Sequence, residues 1–200
     1  MLERLGDQGR KALLDTYELY QSGLIDRETM LDVASELLQF INDQGAAYGA
    51  LSYSQVRAIM LDTATELPAK GTPLAATSTG GISASLTTIL NGDPDQILMR
   101  LERLGYVLPI ESAQGGYEST LQGDSAVEGW QRGLNDDACQ LCQWWSWEGR
   151  IWPKVQPFQK HNGCKCQQIP KIVHEDEIPS TVYERKLRQR REAIANRGKF

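Results

Sequence analysis

Residues 135–166 read NDDACQLCQWWSWEGRIWPKVQPFQKHNGCKC, and this stretch determines the architecture of the C-terminal part of the chain. It contains all four cysteines of the 200-residue protein, in the pattern Cys139-x2-Cys142 … His161-x2-Cys164-x-Cys166. It also contains four of the five tryptophans. Scattered cysteines are typical of a hydrophobic core, whereas two close pairs beside a histidine indicate a site.

The cysteine spacing favours a metal site. Each close pair places two thiolates on one side of a turn, and two such turns complete a tetrahedral zinc site when they meet. The first choice of ligands for a structural Zn²⁺ is all four cysteines, with His161 beside them. The second choice is Cys139, Cys142, His161 and one of Cys164 and Cys166. Either set is closed, so metal binding would contribute directly to folding. Two disulfides, or four reduced thiols, remain open as alternatives.

The chain shows no targeting segment, which bears on the redox state of these thiols. The N-terminus, MLERLGDQGRKALL, is charged and lacks the apolar region of a secretory signal. No segment approaches the ~18 continuous apolar residues that a membrane span needs. We therefore expect a chain made and folded in a cytoplasm, without membrane partners, where reduced thiols favour metal over disulfide.

The tryptophans surround a predicted hairpin. After Cys142 the aromatic and β-branched residues around Glu148-Gly149 favour two short strands joined by a turn. A two-stranded hairpin cannot bury both faces, so some of these tryptophans are candidate interface residues. The alternative is that they cover a small metal module with little core of its own. The candidates are Trp144, Trp145, Trp147 and Trp152.

The first third of the chain has the periodicity of helices. One apolar stripe ends near Gly23, and Asp26 is placed to cap a second helix. We expect that second helix to stop in the region of residues 45–49, where two glycines occur. The capping box Ser52-x-x-Gln55 then predicts a third helix. Short connections of this kind favour an antiparallel bundle.

The middle of the chain is rich in glycine, serine, threonine and alanine. Residues 68–92 predict an ordered loop with a short helix over residues 83–90, with a flexible linker as the alternative. Asp93-Pro94 predicts the start of another helix, and Gly105 is placed to end it. The short run 106–110 favours an extended segment, and residues 111–133 favour one more helix.

These patterns predict a mainly α fold with a small cysteine-rich module. We expect an N-terminal helical bundle, an α+β module of zinc-knuckle type, and a basic terminal helix. The predicted regions are 1–67 (helical), 68–134 (Gly/Ser/Thr-rich segment and helices), 135–170 (the knuckle, with its hairpin) and 171–200 (basic helix).

The charge is distributed unevenly along the chain. The net charge is −5, yet residues 180–200 carry seven basic residues against two acidic ones. An acidic body with a basic tail differs from a general nucleic-acid binder, whose basic charge covers a face. The tail remains a candidate for contact with DNA or an acidic partner surface. The residues concerned are Arg185, Lys186, Arg188, Arg190 and Arg191.

No familiar catalytic motif occurs in the sequence. The G-x-S-x-G elbow, the phosphate-binding loop and the H-E-x-x-H pair are all missing. A protease would have to use His161 or His174, the only two histidines, as its base. We expect a protein that is not an enzyme.

Three short segments resemble the C-terminal signature of the phage Mu F-like minor head proteins. They are residues 135–142 (NDDACQLC), 148–152 (EGRIW) and 161–166 (HNGCKC). In that family an Asp-rich turn leads to Cys-x2-Cys, a short hairpin follows, and a His-Pro-Asn-Cys-Arg-Cys run completes the signature. Here Asn-Gly replaces Pro-Asn, and Lys165 replaces the arginine. The resemblance covers about 40 residues, roughly 130–170, and the cysteines have the same order and spacing.

The resemblance implies a virion component of a tailed phage, made in the host cytoplasm. Such a protein would act in head morphogenesis and capsid assembly at the portal vertex or inner capsid. Its partners would be portal protein, major capsid protein or both, in a ring of several copies. Two other interpretations remain: a zinc-stabilised DNA-binding module, and a viral assembly protease.

Overall fold

The computed structural model describes residues 1–62, 79–161 and 163–172. The predicted fold class is confirmed: the chain is mainly helical, with a small antiparallel sheet and a cysteine cluster near its C-terminal end. The predicted basic helix of residues 171–200 and most of the Gly/Ser/Thr-rich segment before residue 79 lie outside the described residues. Within the described part of the chain, no helix is both long enough and apolar enough to cross a membrane.

Four helices form the bundle, which makes up most of the described chain. They are α1 (Leu2–Gln21), α2 (Arg27–Leu61), α3 (Thr79–Leu90) and α4 (Ile97–Gly123). As expected, α1 ends just before Gly23, which has φ +75°. The Asp26 side chain caps α2 by accepting a hydrogen bond from Thr29 N at 2.8 Å. The short helix predicted over residues 83–90 corresponds to the last eight of the twelve residues of α3.

Helix α2 is one continuous helix, and the predicted break at residues 45–49 is wrong. Gly45 and Gly49 lie where α2 crosses α4, not at a helix end. A Cβ atom at Gly49 would lie 1.8 Å from the carbonyl oxygen of Ala113, and one at Gly45 would lie 2.8 Å from that of Pro109. The two backbones are too close for any side chain at these positions. The capping box at Ser52 therefore lies inside a helix that the contact with α4 stabilises.

Helix α4 also continues past its predicted end at Gly105. The predicted extended segment 106–110 is helical, and α4 reaches Gly123, so the helix predicted over residues 111–133 is correct only in its first half. A Cβ atom at Gly105 would lie 2.6 Å from the Gly9 carbonyl oxygen of α1. Pro109 is inside the helix, where it removes one backbone donor. Packing against α1 and α2 on both sides outweighs these local penalties.

The main core lies between the four helices of the bundle. Side chains from all four are fully buried there, and each large apolar one contributes on the order of 2 kcal/mol through burial. The buried residues of this core are Leu13, Tyr17, Met30, Ala34, Leu38, Ile82, Leu86, Ile97 and Leu101.

A three-stranded antiparallel sheet follows α4. Its strands are β1 (Val127–Gly133), β2 (Trp152–Pro153) and β3 (Gln167–Ile172), in the order β2-β1-β3. The central strand β1 precedes the knuckle in sequence and pairs with both of its strands. A second core lies between this sheet and the ends of α2 and α4, and includes Tyr53, Tyr117, Leu121, Trp130 and Phe158 together with three cysteines.

The predicted hairpin around Glu148-Gly149 is wrong. The residues after Cys139 form a short helix, α5 (Gln140–Trp145), and a 3-10 helix covers Trp147–Gly149. Gly149, with φ +62°, lies at the end of that 3-10 helix. β2 then pairs with β1, with Trp152 opposite Trp130. The pairing partner of β2 is therefore β1, which comes from outside the knuckle, and not a second strand after Gly149.

Candidate metal centre

The two cysteine pairs meet beside β1. Cys139 is the N-cap of α5, and Cys142 lies within that helix. His161, Cys164 and Cys166 come from the segment that leads into β3. Cys142, Cys164 and Cys166 are buried, Cys139 is exposed and His161 is partly buried. All four cysteines are free thiols, so the alternative of two disulfides is not seen.

The distances between the ligand atoms suit a metal ion. His161 Nε2 lies 3.2 Å from Cys139 Sγ and 3.2 Å from Cys142 Sγ. Cys142 Sγ lies 3.6 Å from Cys164 Sγ. Two thiolates bound to one tetrahedral zinc at about 2.3 Å are roughly 3.8 Å apart, so these spacings fit.

The five ligand atoms form two overlapping sets of three. One set is Cys139, Cys142 and His161, and the other is Cys142, Cys164 and Cys166. Within each set the ligand atoms all lie within 4.8 Å of one another. Cys142 belongs to both sets and is therefore the centre of the cluster. The cysteine–histidine cluster could hold a metal ion.

The surroundings shift the pKa values of the Cys142 and Cys139 thiols in opposite directions. Burial, followed by hydrogen bonding with Cys164 and Cys166, raises the pKa of the Cys142 thiol. A hydrogen bond with the backbone of Cys142 lowers the pKa of the exposed Cys139 thiol. Burial beside two other sulfur atoms therefore disfavours the Cys142 thiolate, and a divalent cation bound there would stabilise it.

Arg132 of β1 is the only cation among the described residues that contacts the sulfur atoms. Its guanidinium is buried, with one nitrogen 3.6 Å from Cys142 Sγ and 3.9 Å from Cys164 Sγ. It also donates to the Gln159 carbonyl oxygen. The cysteine and histidine spacing gives no indication of Arg132. One feature of the sequence could have indicated it: side chains alternate between the two faces of a strand, so Arg132 lies on the same face as the buried Trp130.

Aromatic rings enclose the Arg132 guanidinium. Its central carbon lies 4.9 Å from the centre of the Trp145 ring and 4.1 Å from that of Phe158. The rings exclude water while their faces attract the cation. The charge is therefore held in an apolar environment next to the thiols.

Two side chains of α4 hold the ligand segment on the bundle. Gln114 Nε2 donates to the carbonyl oxygens of Cys164, at 2.7 Å, and Cys166, at 3.0 Å. Glu118 Oε1 accepts from Phe158 N at 2.6 Å. Nothing in the sequence pattern indicated either contact, because each joins residues at least 40 positions apart. At the edge of the site, Lys165 Nζ pairs with Glu3 Oε1 of α1 at 2.5 Å.

The four tryptophans proposed for an interface divide into two pairs. Trp144 and Trp147 are 59% and 70% exposed. Trp145 and Trp152 are partly buried against the second core, and Trp152 stacks on Trp130 with ring centres 5.8 Å apart. Only the first pair offers most of its ring surface to a partner.

The five basic residues proposed to contact DNA or an acidic surface, Arg185, Lys186, Arg188, Arg190 and Arg191, lie outside the described residues. His174, one of the two histidines that a protease would need, also lies outside them. His161 lies within the cysteine cluster.

The fold and site together define a helical bundle that carries a cysteine- and histidine-rich module. No protein-family model, curated protein or solved structure matches this chain.

Proposed function

We propose that this chain is a structural assembly protein of a tailed-phage virion, not an enzyme, and that its knuckle holds one Zn²⁺. It would act in several copies at the portal vertex or inner capsid, bound to portal protein, major capsid protein or both. The observation that carries the proposal is the meeting of the two cysteine pairs around Cys142, with the order and spacing that resemble the Mu F-like signature. Production in the host cytoplasm is consistent with four free thiols.

The donor set supports zinc over other metals. Thiolate and imidazole donors in a tetrahedral arrangement favour Zn²⁺, whereas Mg²⁺ and Ca²⁺ take oxygen ligands. When bound, zinc supplies a cross-link between α5 and the segment before β3. The buried thiols and the hydrogen bonds from Gln114 would hold those two segments in position around it.

Exposed apolar side chains support a role in assembly. Trp144 and Trp147 project from the knuckle, and tryptophans in such positions often anchor protein interfaces. On the bundle, α2 exposes Val33, Leu37 and Phe40 at helical spacing, with Phe40 61% exposed. These two surfaces are the proposed contacts with portal or capsid protein.

Co-assembly with the phage's own portal and capsid proteins tests this role. We expect the full chain to co-purify with assembled heads, and the double variant Trp144→Ala, Trp147→Ala to lose most of that association. Leu98→Ala is the matched control, because Leu98 is an apolar side chain of α4 that is 57% exposed and belongs to neither proposed surface. Heads that assemble and package DNA normally without any copy of this chain would refute the assembly role.

One observation favours the protease as a second candidate. Cys139 is exposed, has a lowered pKa and lies 3.2 Å from His161, as the nucleophile and base of a cysteine protease do. Against it, the same His161 nitrogen is equally close to Cys142. Alkylation with iodoacetamide distinguishes a zinc site from a protease site. If Cys139 is a zinc ligand, it reacts only after chelation. If Cys139 is a nucleophile, it reacts fast in the presence of zinc, and the fast reaction depends on His161.

The DNA-binding interpretation depends on the basic segment. A contact of this segment with packaged DNA is compatible with the assembly role. Binding to duplex DNA with a steep salt dependence, lost on deletion of residues 180–200, would instead support a DNA-binding module if the chain were also absent from assembled heads.

A further inference from the structure

We propose that one exposed face of α2 is the docking surface for the basic segment of the same chain, residues 180–200. The face combines a row of apolar side chains with two acidic side chains beside it. Its residues are Asp32, Val33, Glu36, Leu37, Phe40 and Tyr48. The inference does not depend on the zinc site. It goes beyond the virion role, because it gives one of the two proposed contact surfaces an occupant that portal or capsid protein would have to displace.

The first argument is that this face of α2 is apolar and exposed. Its four apolar side chains are separated by four, three and eight residues, a spacing that keeps them on one side of a helix. Phe40 and Tyr48 are the most exposed of them, at 61% and 45%. The opposite side of α2 carries Ala34 and Leu38, which are fully buried in the main core. Contiguous exposed apolar side chains bordered by polar ones mark an interaction site.

The second argument is that the face is negatively charged. Between Arg27 and Arg57, α2 has four acidic residues and no basic one. Asp32 and Glu36 lie one helical turn apart, each next in sequence to an apolar residue of the row, and both are exposed. Neither forms an ion pair with another described residue. The charge of this face therefore favours a basic partner.

The third argument is that residues 180–200 have the complementary composition. They carry seven basic residues against two acidic ones. Their apolar residues include Tyr183, Leu187 and Ile194, whose separations of four and seven residues are those of one side of a helix. An amphipathic helix places its apolar side on an apolar surface and leaves its charged side chains at the rim. The basic rim of this segment would then meet Asp32 and Glu36.

The fourth argument is reach. Strand β3 ends at Ile172, which packs against the second core, as Val56 of α2 does. From Val56 to Leu37 the axis of α2 is about 28 Å long, at a rise of about 1.5 Å per residue. The ten residues 173–182 span up to about 33 Å when fully extended. The basic segment can therefore reach this face of its own chain, and a second copy is not needed.

Hydrogen exchange of the full chain, measured by mass spectrometry, tests the docking. We expect the backbone amides of residues 183–194 to exchange at least about tenfold more slowly than in an unstructured chain, because docking stabilises a helix there. The double variant Asp32→Lys, Glu36→Lys should lose that protection. The matched control is Glu18→Lys, Glu102→Lys, which makes the same change in net charge at exposed positions of α1 and α4.

Zero-length cross-linking with a carbodiimide provides a second readout, which needs no variant. The reagent joins a carboxylate to an amine only when the two groups are in contact. We expect Lys186 or Lys199, the two lysines of the basic segment, to be joined to Asp32 or Glu36 within one chain.

Three results would contradict the inference. The first is exchange at residues 183–194 that is fast in the wild type, or that is equally slow in the α2 variant and its control. The second is a set of cross-links that joins the two lysines only to other parts of the chain. The third is protection that appears only as the protein concentration rises, which would identify the basic segment of a second copy as the occupant. The proposed function is tested separately, by zinc content and by association with heads.

Discussion

Tyr53 donates a hydrogen bond from its hydroxyl to Asp124 Oδ2 at 2.7 Å, and so connects the C-terminal half of α2 to the turn after α4. Arg57 Nε pairs with the same oxygen at 2.6 Å, and Asp124 Oδ1 accepts from Ala126 N at 2.8 Å. Lys154, just after β2, donates to the Asp124 carbonyl oxygen at 2.8 Å. Asp124 therefore joins the bundle to the sheet that carries the metal centre.

The pKa of Asp124 makes this junction sensitive to acid. Burial raises the pKa of Asp124, but the hydrogen bonds from Tyr53, Ala126 and Arg57 outweigh burial, and the net direction is downward. A carboxylate with a lowered pKa in the folded state stabilises the fold above its unfolded pKa of about 3.9, and this contribution disappears as the pH falls through the folded value.

We predict that Asp124→Asn lowers the free energy of unfolding by about 1–3 kcal/mol at neutral pH, because it removes the charged partner of Arg57. The variant should also lose less stability than the wild type between about pH 5 and pH 3. Urea unfolding at several pH values measures both effects. Asp43→Asn, an exposed substitution on α2, is the control. Parallel acid profiles for wild type and Asp124→Asn would contradict the assignment.

The close crossing of α2 and α4 gives a second prediction. Gly49→Ala should destabilise the protein by about 3 kcal/mol, because a Cβ atom there would overlap the Ala113 carbonyl oxygen and force the helices apart. Gly115→Ala is the matched control on α4, since nothing lies within 4 Å of its added Cβ atom. That control should be stabilising by about 0.5–1 kcal/mol. Thermal unfolding compares the two, and a tolerated Gly49→Ala would mean that the helices are farther apart than described.

Metal removal is expected to unfold the knuckle first. Purified protein should contain about one equivalent of zinc, and chelation should lower Tm and increase solvent exposure of Trp130, which is 1% exposed. Cys142→Ser should abolish binding, because Cys142 belongs to both ligand sets. Chelator should then have no further effect on that variant. Elemental analysis that finds less than roughly half an equivalent in the wild type would exclude a structural zinc.

Substitution of two tryptophans should distinguish a residue that stabilises the fold from a residue that docks a partner. Trp147→Ala should change the free energy of unfolding by less than about 0.5 kcal/mol, because its ring is largely exposed. Trp130→Ala should cost about 3–5 kcal/mol, since it removes the centre of the second core. Denaturant unfolding checks both. If Trp147→Ala were as destabilising as Trp130→Ala, Trp147 would be a core residue and not a docking residue.

The sequence predicted local features well and distant contacts poorly. The end of α1 and the Asp26 cap follow from neighbouring residues, and the fold class follows from periodicity. Glycines at positions 45, 49 and 105 were wrongly interpreted as helix breakers. Glycine has the same local signature at a helix end and at a close helix crossing, and only the partner backbone distinguishes them.

The same limit applies to the candidate site. The spacing of the cysteines and His161 was enough to predict that they meet at one site, because each close pair of ligands lies within a few residues of sequence. Arg132 and Gln114 could not be found that way, since each acts on residues that are distant in sequence. The hairpin was wrong for a related reason: the strand that pairs with β2 comes from before the knuckle.

The two hydrogen bonds from Gln114 have a consequence for how this module can be moved or inherited. The carbonyl oxygens of Cys164 and Cys166 are held by a side chain of the bundle, and β1 supplies both the central strand and Arg132. A graft of residues 135–172 onto another scaffold would carry the ligands and leave behind the groups that position them. In homologous chains, position 114 should therefore change together with the cysteine segment, and the bundle and the knuckle should be exchanged by recombination only as one piece.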